Sequence, residues 1–237
     1  MGTADLTRPV LTLTVVSTSG EQKIDFVVDR LMAGGWAGRD MAEVQAHVKE
    51  LQKHNVPAPV YIPCYMNLST YLVTLDDGIE VASDQSSAEV EFILFIKGDG
   101  MWVGVGSDHT DRAVESLSIP GAKQTCAKVI APKVWPYEAV RDHWDQLILR
   151  CWVTKDGKRE LYQEGQLEVL IDAQTLLEKM PHEMKDRMKG SVVLLSGTMP
   201  TRAGLVYGDY WEIEMEDPIL KRNLKHEYAV TVLPQFV

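Results

Sequence analysis

The stretch from Val90 to Asp108 constrains this chain more than any other. Apolar Phe92–Ile96 runs into Lys97-Gly98-Asp99-Gly100 and leaves through Met101–Gly106, the pattern of two strands folded about a tight turn. Such a hairpin needs a sheet to bury it, and the rest of the sequence supplies more strands than helices. Leu11–Val16 and Ile24–Val28 read as a second hairpin, joined by Ser-Thr-Ser-Gly-Glu. Leu72–Thr74, Ile79–Val81, Val192–Leu195, Tyr210–Met215 and Tyr228–Leu233 read as further strands. Asp156-Gly157, between Ile148–Thr154 and Arg159–Tyr162, is a type I′ turn signal.

Helical signals are few. Asp40 is placed to cap a helix from Met41 to about Lys53, with Met41, Val44, Val48 and Leu51 on one stripe. Pro136 opens a second helix predicted from Tyr137 to about Leu147, and a short one is expected near Gln174–Lys179. Pro57, Pro59 and Pro63 hold an extended crossing between the first helix and the strands. No regular β-α-β alternation occurs, so the expected fold class is α+β and mostly β. Residues 1–59 read as an N-terminal hairpin-and-helix elaboration and residues 60–237 as the main domain.

Composition removes several function classes. The formal charge of -10 argues against nucleic acid and anionic membrane surfaces as partners. No apolar run approaches the roughly 20 residues of a membrane span. The N-terminus MGTADLTRPV lacks the apolar core of a signal peptide, and Cys64, Cys126 and Cys151 form neither a disulfide framework nor a Cys-x-x-Cys site. The expected compartment is the cytoplasm.

Chemistry concentrates at the ends of the central hairpin. Glu89 and Glu91 are two apart on a strand, so their side chains share a face. If Asp99-Gly100 forms a two-residue type I′ loop, Gly98 pairs with Met101, which sets Glu91 directly opposite Asp108. Opposed residues share a face with Cβ atoms roughly 5 Å apart, and like charges there repel. A hard divalent cation would reverse the sign of that interaction, and an all-carboxylate shell suits Mg²⁺, Mn²⁺ or Ca²⁺ better than zinc. Gly104 and Gly106 fall on the same face, where they would leave room for a ligand. The alternative is that these carboxylates are the solvated ends of a hairpin.

Other motifs fail. The glycines near residue 100 form no dinucleotide fingerprint, no Walker sequence occurs, and His182-Glu183 lacks the second histidine of a zincin helix. Trp135, Trp144, Trp152 and Trp211 have no basic track beside them and read as core or interface anchors.

Glu89-Val90-Glu91, followed by Ser107-Asp108-His109-Thr110-Asp111-Arg112, resembles the metal-binding pattern of the fumarylacetoacetate hydrolase superfamily. Leu195-Ser196-Gly197-Thr198-Met199-Pro200 and Leu205-Val206-Tyr207-Gly208-Asp209 are similar to its Gly-Thr-Pro and Leu-x-x-Gly-Asp segments. Val153-Thr154-Lys155-Asp156-Gly157, with Gln163 and Gly165, is similar to its Asn-Gly hairpin and following Gln. The likeness covers about residues 60–237. Val103–Arg112 and Asp142–Leu147 look like a bacterial branch of unassigned function.

The resemblance implies a mixed β-roll or sandwich with few short helices, assembled as a homodimer. It implies Glu89, Glu91 and Asp108 as ligands of Mg²⁺ or Mn²⁺, with Ca²⁺ an alternative. Arg112 would orient a substrate carboxylate, Thr198 would line the site, and Lys123, or else Lys128, would be the catalytic lysine. His109 is a candidate base. The superfamily's N-terminal His and Glu have no clear counterpart: His47 and Glu50 have helical spacing on the first helix and read as a solvated face. A tight hairpin also replaces the longer segment usual between the Glu-x-Glu strand and the Asp. The implied reaction is metal-assisted C–C hydrolysis, or related enolate chemistry such as decarboxylation, hydration or tautomerisation. The substrate would be a small 1,3-dicarbonyl or 2-oxo acid. The rival is a non-catalytic ligand-binding β protein that keeps the cation site.

Overall fold

Val90–Lys97 is buried on both faces until its last two residues, as an unbroken Val-Glu-Phe-Ile-Leu-Phe-Ile run requires of a central strand. It lies between Gly100–Asp108 and Val192–Leu195, both antiparallel to it. Outward from Gly100–Asp108 the sheet continues through Lys133–Pro136 and Val10–Ser17 to Gly20–Val27. Outward from Val192–Leu195 it continues through Arg30–Gly35 to Cys64–Leu68. Lys128–Ile130 also pairs with Gly100–Asp108 and carries the two-residue strand Val73–Thr74, making ten strands. A second sheet has five, in the order Lys158–Gln166, Ile148–Lys155, Tyr210–Asp217, Arg222–Val232 and Gly78–Val81. Parallel and antiparallel pairs occur in both sheets, so the architecture is the mixed, mostly-β one expected.

The computed structural model describes residues 7–53, 58–185 and 189–236; the side chains of His47, Glu50, Leu51 and Lys53 also fall outside the description. Among the described residues no helix is long and apolar enough to cross a membrane.

Two cores follow from strand alternation. Phe92, Leu94, Val103 and Val105 meet Leu149, Cys151, Val153, Trp211 and Ile213 between the sheets. The opposite face of the large sheet packs on itself through Leu13, Phe26, Leu31, Ile93, Phe95, Val134 and Val193. Each such fully buried side chain contributes roughly 1.5–3 kcal/mol relative to exposure.

Several expectations change. Of the segment 1–59, Val10–Ser17, Gly20–Val27 and Arg30–Gly35 are strands of this sheet. The helix predicted over Tyr137–Leu147 is two 3-10 segments, Tyr137–Ala139 and Arg141–Gln146. His143 leaves helical dihedrals where its Nε2 meets Asp217 Oδ1 at 3.0 Å, and the broken path buries Val140, Trp144 and Leu147 together. Met41–Lys53 forms as expected, with Asp40 Oδ1 accepting from the Ala42 and Glu43 amides. Trp135, Trp144 and Trp211 belong to the core, so they offer no association surface.

Candidate metal centre

The central hairpin closes two residues away from the expected register. Lys97 pairs with Gly100, leaving Gly98-Asp99 as the loop, and Glu91 faces Gly106 rather than Asp108. Gly98 has φ +57° and Asp99 is not among the positive-φ residues, the pattern of a type II′ turn with glycine first. Asp108 therefore lies across from Glu89, its amide donating to the Glu89 carbonyl at 3.0 Å. A slip of two preserves the face, whereas a slip of one would have reversed it. Glu89, Glu91 and Asp108 accordingly converge, with one ligand atom from each within 4.8 Å of the others.

The glycines beside them serve packing, not ligand approach as expected. A Cβ on Gly106 would stand 2.8 Å from Ile93 Cγ1 and 2.9 Å from the Val129 carbonyl oxygen. One on Gly104 would stand 3.1 Å from the Phe95 ring.

Two lysines face Asp108 from opposite sides. Lys123 Nζ is 3.0 Å from Oδ2 and Lys128 Nζ is 2.6 Å from Oδ1. Neither Asp108 oxygen receives a well-aligned hydrogen bond, although both are fully buried. These contacts are therefore charge pairing that leaves lone-pair directions unsatisfied. Lys128 also donates to the His109 carbonyl at 2.7 Å and is wholly enclosed beneath the site. Lys123 borders the cavity, pairs with Glu89 and donates to Thr110 Oγ1 at 3.0 Å. Burial pulls the Lys123 pKa down, but Asp108 and Glu89 outweigh it, so the ammonium is held charged.

The carboxylates are driven apart in acidity. Burial works to raise Glu89, yet Lys123 and Arg112 prevail and bring it to about 2. Glu91 lies well above the ordinary carboxylate range because it is buried and Asp108 repels its charge; the Gly197 amide, donating to Oε2 at 2.8 Å, opposes this only in part. Gly197 reaches that position with φ +95°, a backbone glycine adopts readily. An oxygen-only trio of buried carboxylates, with Asp108 lone pairs left unsatisfied, fits a hard divalent cation.

Arg112 donates from Nη1 to Glu89 at 2.8 Å and Glu115 at 2.7 Å, and from Nε to Ser87 at 2.7 Å. Thr198 borders the cavity, but its hydroxyl donates to the Val90 carbonyl and accepts from Gln163 Nε2, both at 2.8 Å. Gln163 also accepts from the Val90 amide at 3.0 Å, tying the second sheet to the site strand.

His109 faces the other way. Tyr228 donates to Ser107 Oγ at 2.8 Å, so its oxygen accepts from His109 Nδ1 at 2.9 Å, and Nε2 accepts from Ser86 Oγ at 3.0 Å. Both nitrogens are used and the ring is fully buried; burial, with Lys128 and Arg112 nearby, lowers its pKa to about 3. The candidate base is thus a neutral structural residue. The side chains of His47 and Glu50 lie outside the described residues.

Arg112 and Lys123 stand on two short helices that sequence reading missed, Arg112–Glu115 and Ile119–Thr125. The signals were local. Asp111 caps the first, and Ser118 with Pro120 opens the second. Glu115 and Trp36, both bordering the cavity, had no such signal.

Residues 34–228 match a family model described as protein of unknown function (DUF2848). No curated protein matches the sequence. A hexagonal crystal form of 2-keto-3-deoxyarabinonate dehydratase resembles the chain with a TM-score of 0.62 at 14% identity, over 93% of this chain and 80% of that one. Crystal structures of Cg1458 give 0.57 at 17% identity, over 91% and 81%. 4-Oxalocrotonate decarboxylase from Pseudomonas putida G7, complexed with calcium and acetate, gives 0.54 at 14% identity, over 84% and 76%. Likeness at these identities concerns the fold alone, the mixed, mostly-β one expected from the sequence. With most of its length matched by one family model, the chain belongs to the DUF2848 family of proteins of unknown function.

Proposed function

We propose that this protein is a divalent-cation-dependent enzyme acting on a small oxo acid through an enolate, most directly by hydrolytic C–C cleavage of a 1,3-dicarbonyl acid. The observation that carries the reading is the convergence of Glu89, Glu91 and the fully buried Asp108, with Glu89, Glu91, Lys123 and Arg112 on the wall of one cavity of about 820 Å³. Mg²⁺ or Mn²⁺, or Ca²⁺ on the same ligands, would offset negative charge developing on substrate oxygens. Lys123 adds a fixed positive charge beside them. Arg112 uses Nε and Nη1 internally, and its Nη2 makes no hydrogen bond among the described residues, leaving that edge for a substrate carboxylate. Thr198 shapes the wall without donating, because its proton is taken by Val90.

No histidine borders the cavity among the described residues. That favours a second reading, decarboxylation, dehydration or tautomerisation, which needs no hydrolytic water. Two structural neighbours described as a dehydratase and a decarboxylase support it.

Calorimetric titration of chelator-stripped protein with Mg²⁺ and Mn²⁺ tests the site, and the expected result is saturable binding that Glu91→Gln abolishes. Incubation of the loaded protein with acylpyruvates and oxaloacetate tests the chemistry. Cation binding without turnover of any compound would instead establish a ligand-binding protein that keeps the site. The assembly proposed is a homodimer, for which exposed Val60, Tyr71 and Leu117 offer apolar surface. A monomer by analytical ultracentrifugation at micromolar concentration would refute it. The compartment proposed is the cytoplasm, in keeping with three free cysteines.

A further inference from the structure

The cavity is divided by chemistry. Its inner end holds the carboxylates, Lys123 and Arg112, while Trp36, Met66, Ile119, Val169 and Leu205 make much of the remaining wall. Val169 is 46% exposed and Leu205 52%, large apolar side chains open to solvent at the rim of a cavity. Trp36 has φ +50°, a left-handed backbone that bulky residues seldom adopt, and its buried indole nitrogen lacks a hydrogen-bond partner. Backbone strain of this kind persists where a site depends on it.

Charge narrows the ligand further. Five carboxylates border the cavity, Asp40, Glu43, Glu89, Glu91 and Glu115, against two cations, Arg112 and Lys123. Both cations are already paired with Glu89. Asp40 and Glu43 are exposed, which puts them at the rim. The first amides of the Met41–Lys53 helix accept no ligand anion, because Asp40 already binds the Ala42 and Glu43 amides. Among the described residues no third cation borders the cavity to pair with a second carboxylate.

Building on the proposed function, we infer that the substrate is a monocarboxylic oxo acid whose far end is an uncharged apolar group, an alkyl chain or aryl ring. Its oxo-acid head lies at the carboxylates and its tail against Trp36, Met66, Ile119, Val169 and Leu205. Dicarboxylates and polyhydroxylated acids are disfavoured, the former by Asp40 and Glu43 and the latter by unmatched hydroxyls on an apolar wall.

Stable 2-oxo acids test this by binding alone. With Mg²⁺-loaded protein, calorimetric affinity should tighten about threefold to fourfold per added methylene from 2-oxobutanoate to 2-oxooctanoate. 2-Oxopentanoate should bind at least about tenfold more tightly than 2-oxoglutarate, which replaces its apolar end by a carboxylate, a contrast of roughly one charge repulsion. Leu205→Asp, at a half-exposed position, should flatten the chain-length gradient, and Glu43→Lys should narrow the gap to 2-oxoglutarate. A flat series, preference for 2-oxoglutarate, or no binding of any member overturns the inference. The enzymatic reading fails separately, when Mg²⁺ itself does not bind or when acylpyruvates bind and survive unchanged.

Discussion

Two hairpins with two-residue loops, one in each sheet, dispose of their charges in opposite ways. Ile148–Lys155 and Lys158–Gln166 turn at Asp156-Gly157, with φ +50° and +75°, the type I′ geometry expected from that dipeptide. Their charges stand outside as a ladder: Arg150 meets Glu164 at 2.8 Å and also Glu216, while Arg159 meets Glu212 at 2.5 Å and covers the Trp152 ring. Water screens those pairs, and each is worth little. Val90–Lys97 and Gly100–Asp108 carry theirs inward, where Glu91 and Asp108 are at most 1% exposed and desolvation must be met by Lys123 and Lys128. The outer ladder adjusts solubility and pairing, whereas the inner cluster holds charge under tension that a ligand can use.

The contrast breaks first at Lys128. Lys128→Met removes one of the two cations on Asp108 and should cost about 3–5 kcal/mol by urea unfolding. A loss below about 1 kcal/mol would place the inner pair in the same class as the outer ones.

Glu91 sharpens the contrast through pH. Its folded pKa is raised above its ordinary 4.5, so its contribution to stability is complete below that value and is lost as pH climbs through the folded pKa. Metal-free Glu91→Gln should lack that decline and exceed the wild type in stability at neutral pH. His109 acts in the reverse sense in both proteins: its pKa, lowered from 6.5 to about 3, costs stability as pH falls across that window. Thermal melts from pH 4 to 9, taken as the difference between the two proteins, isolate Glu91; coincident curves would remove it from the strained set.

Glycines separate the hairpins more gently. Gly106→Ala should cost about 1–3 kcal/mol by overpacking against Ile93 and the Val129 carbonyl. Gly157→Ala meets no atom within 4 Å, and its cost of about 1–2 kcal/mol comes from φ alone. Smallest of all, Arg159→Ala should change stability by about 0–1 kcal/mol and lose even that in high salt.

The same two hairpins explain what the sequence made legible. Asp156-Gly157 has one good turn placement, and its register could be read directly. Lys97-Gly98-Asp99-Gly100 offers both Asp99-Gly100 and Gly98-Asp99, and Phe92–Ile96 is apolar on both faces, so alternation has no power to choose. Face parity survived because moving the loop by one residue shifts the cross-strand pairing by two, and the carboxylate trio was legible for that reason. Arg30–Gly35 was missed because Gly34 and Gly35 weaken a strand signal, although parallel pairing with Val192–Leu195 holds it. His109, next to Asp108 in sequence, turns away from it toward Tyr228 and Ser86, as adjacent extended residues do.

Lys123 is the protein's own occupant of the space between Glu89 and Asp108. Under the proposed function, a cation held by Glu89 and Asp108 would have to displace that ammonium group rather than fill a hole. Uptake and release would then be exchanges of one cation for another, with Lys123, which borders the cavity, as the group exchanged.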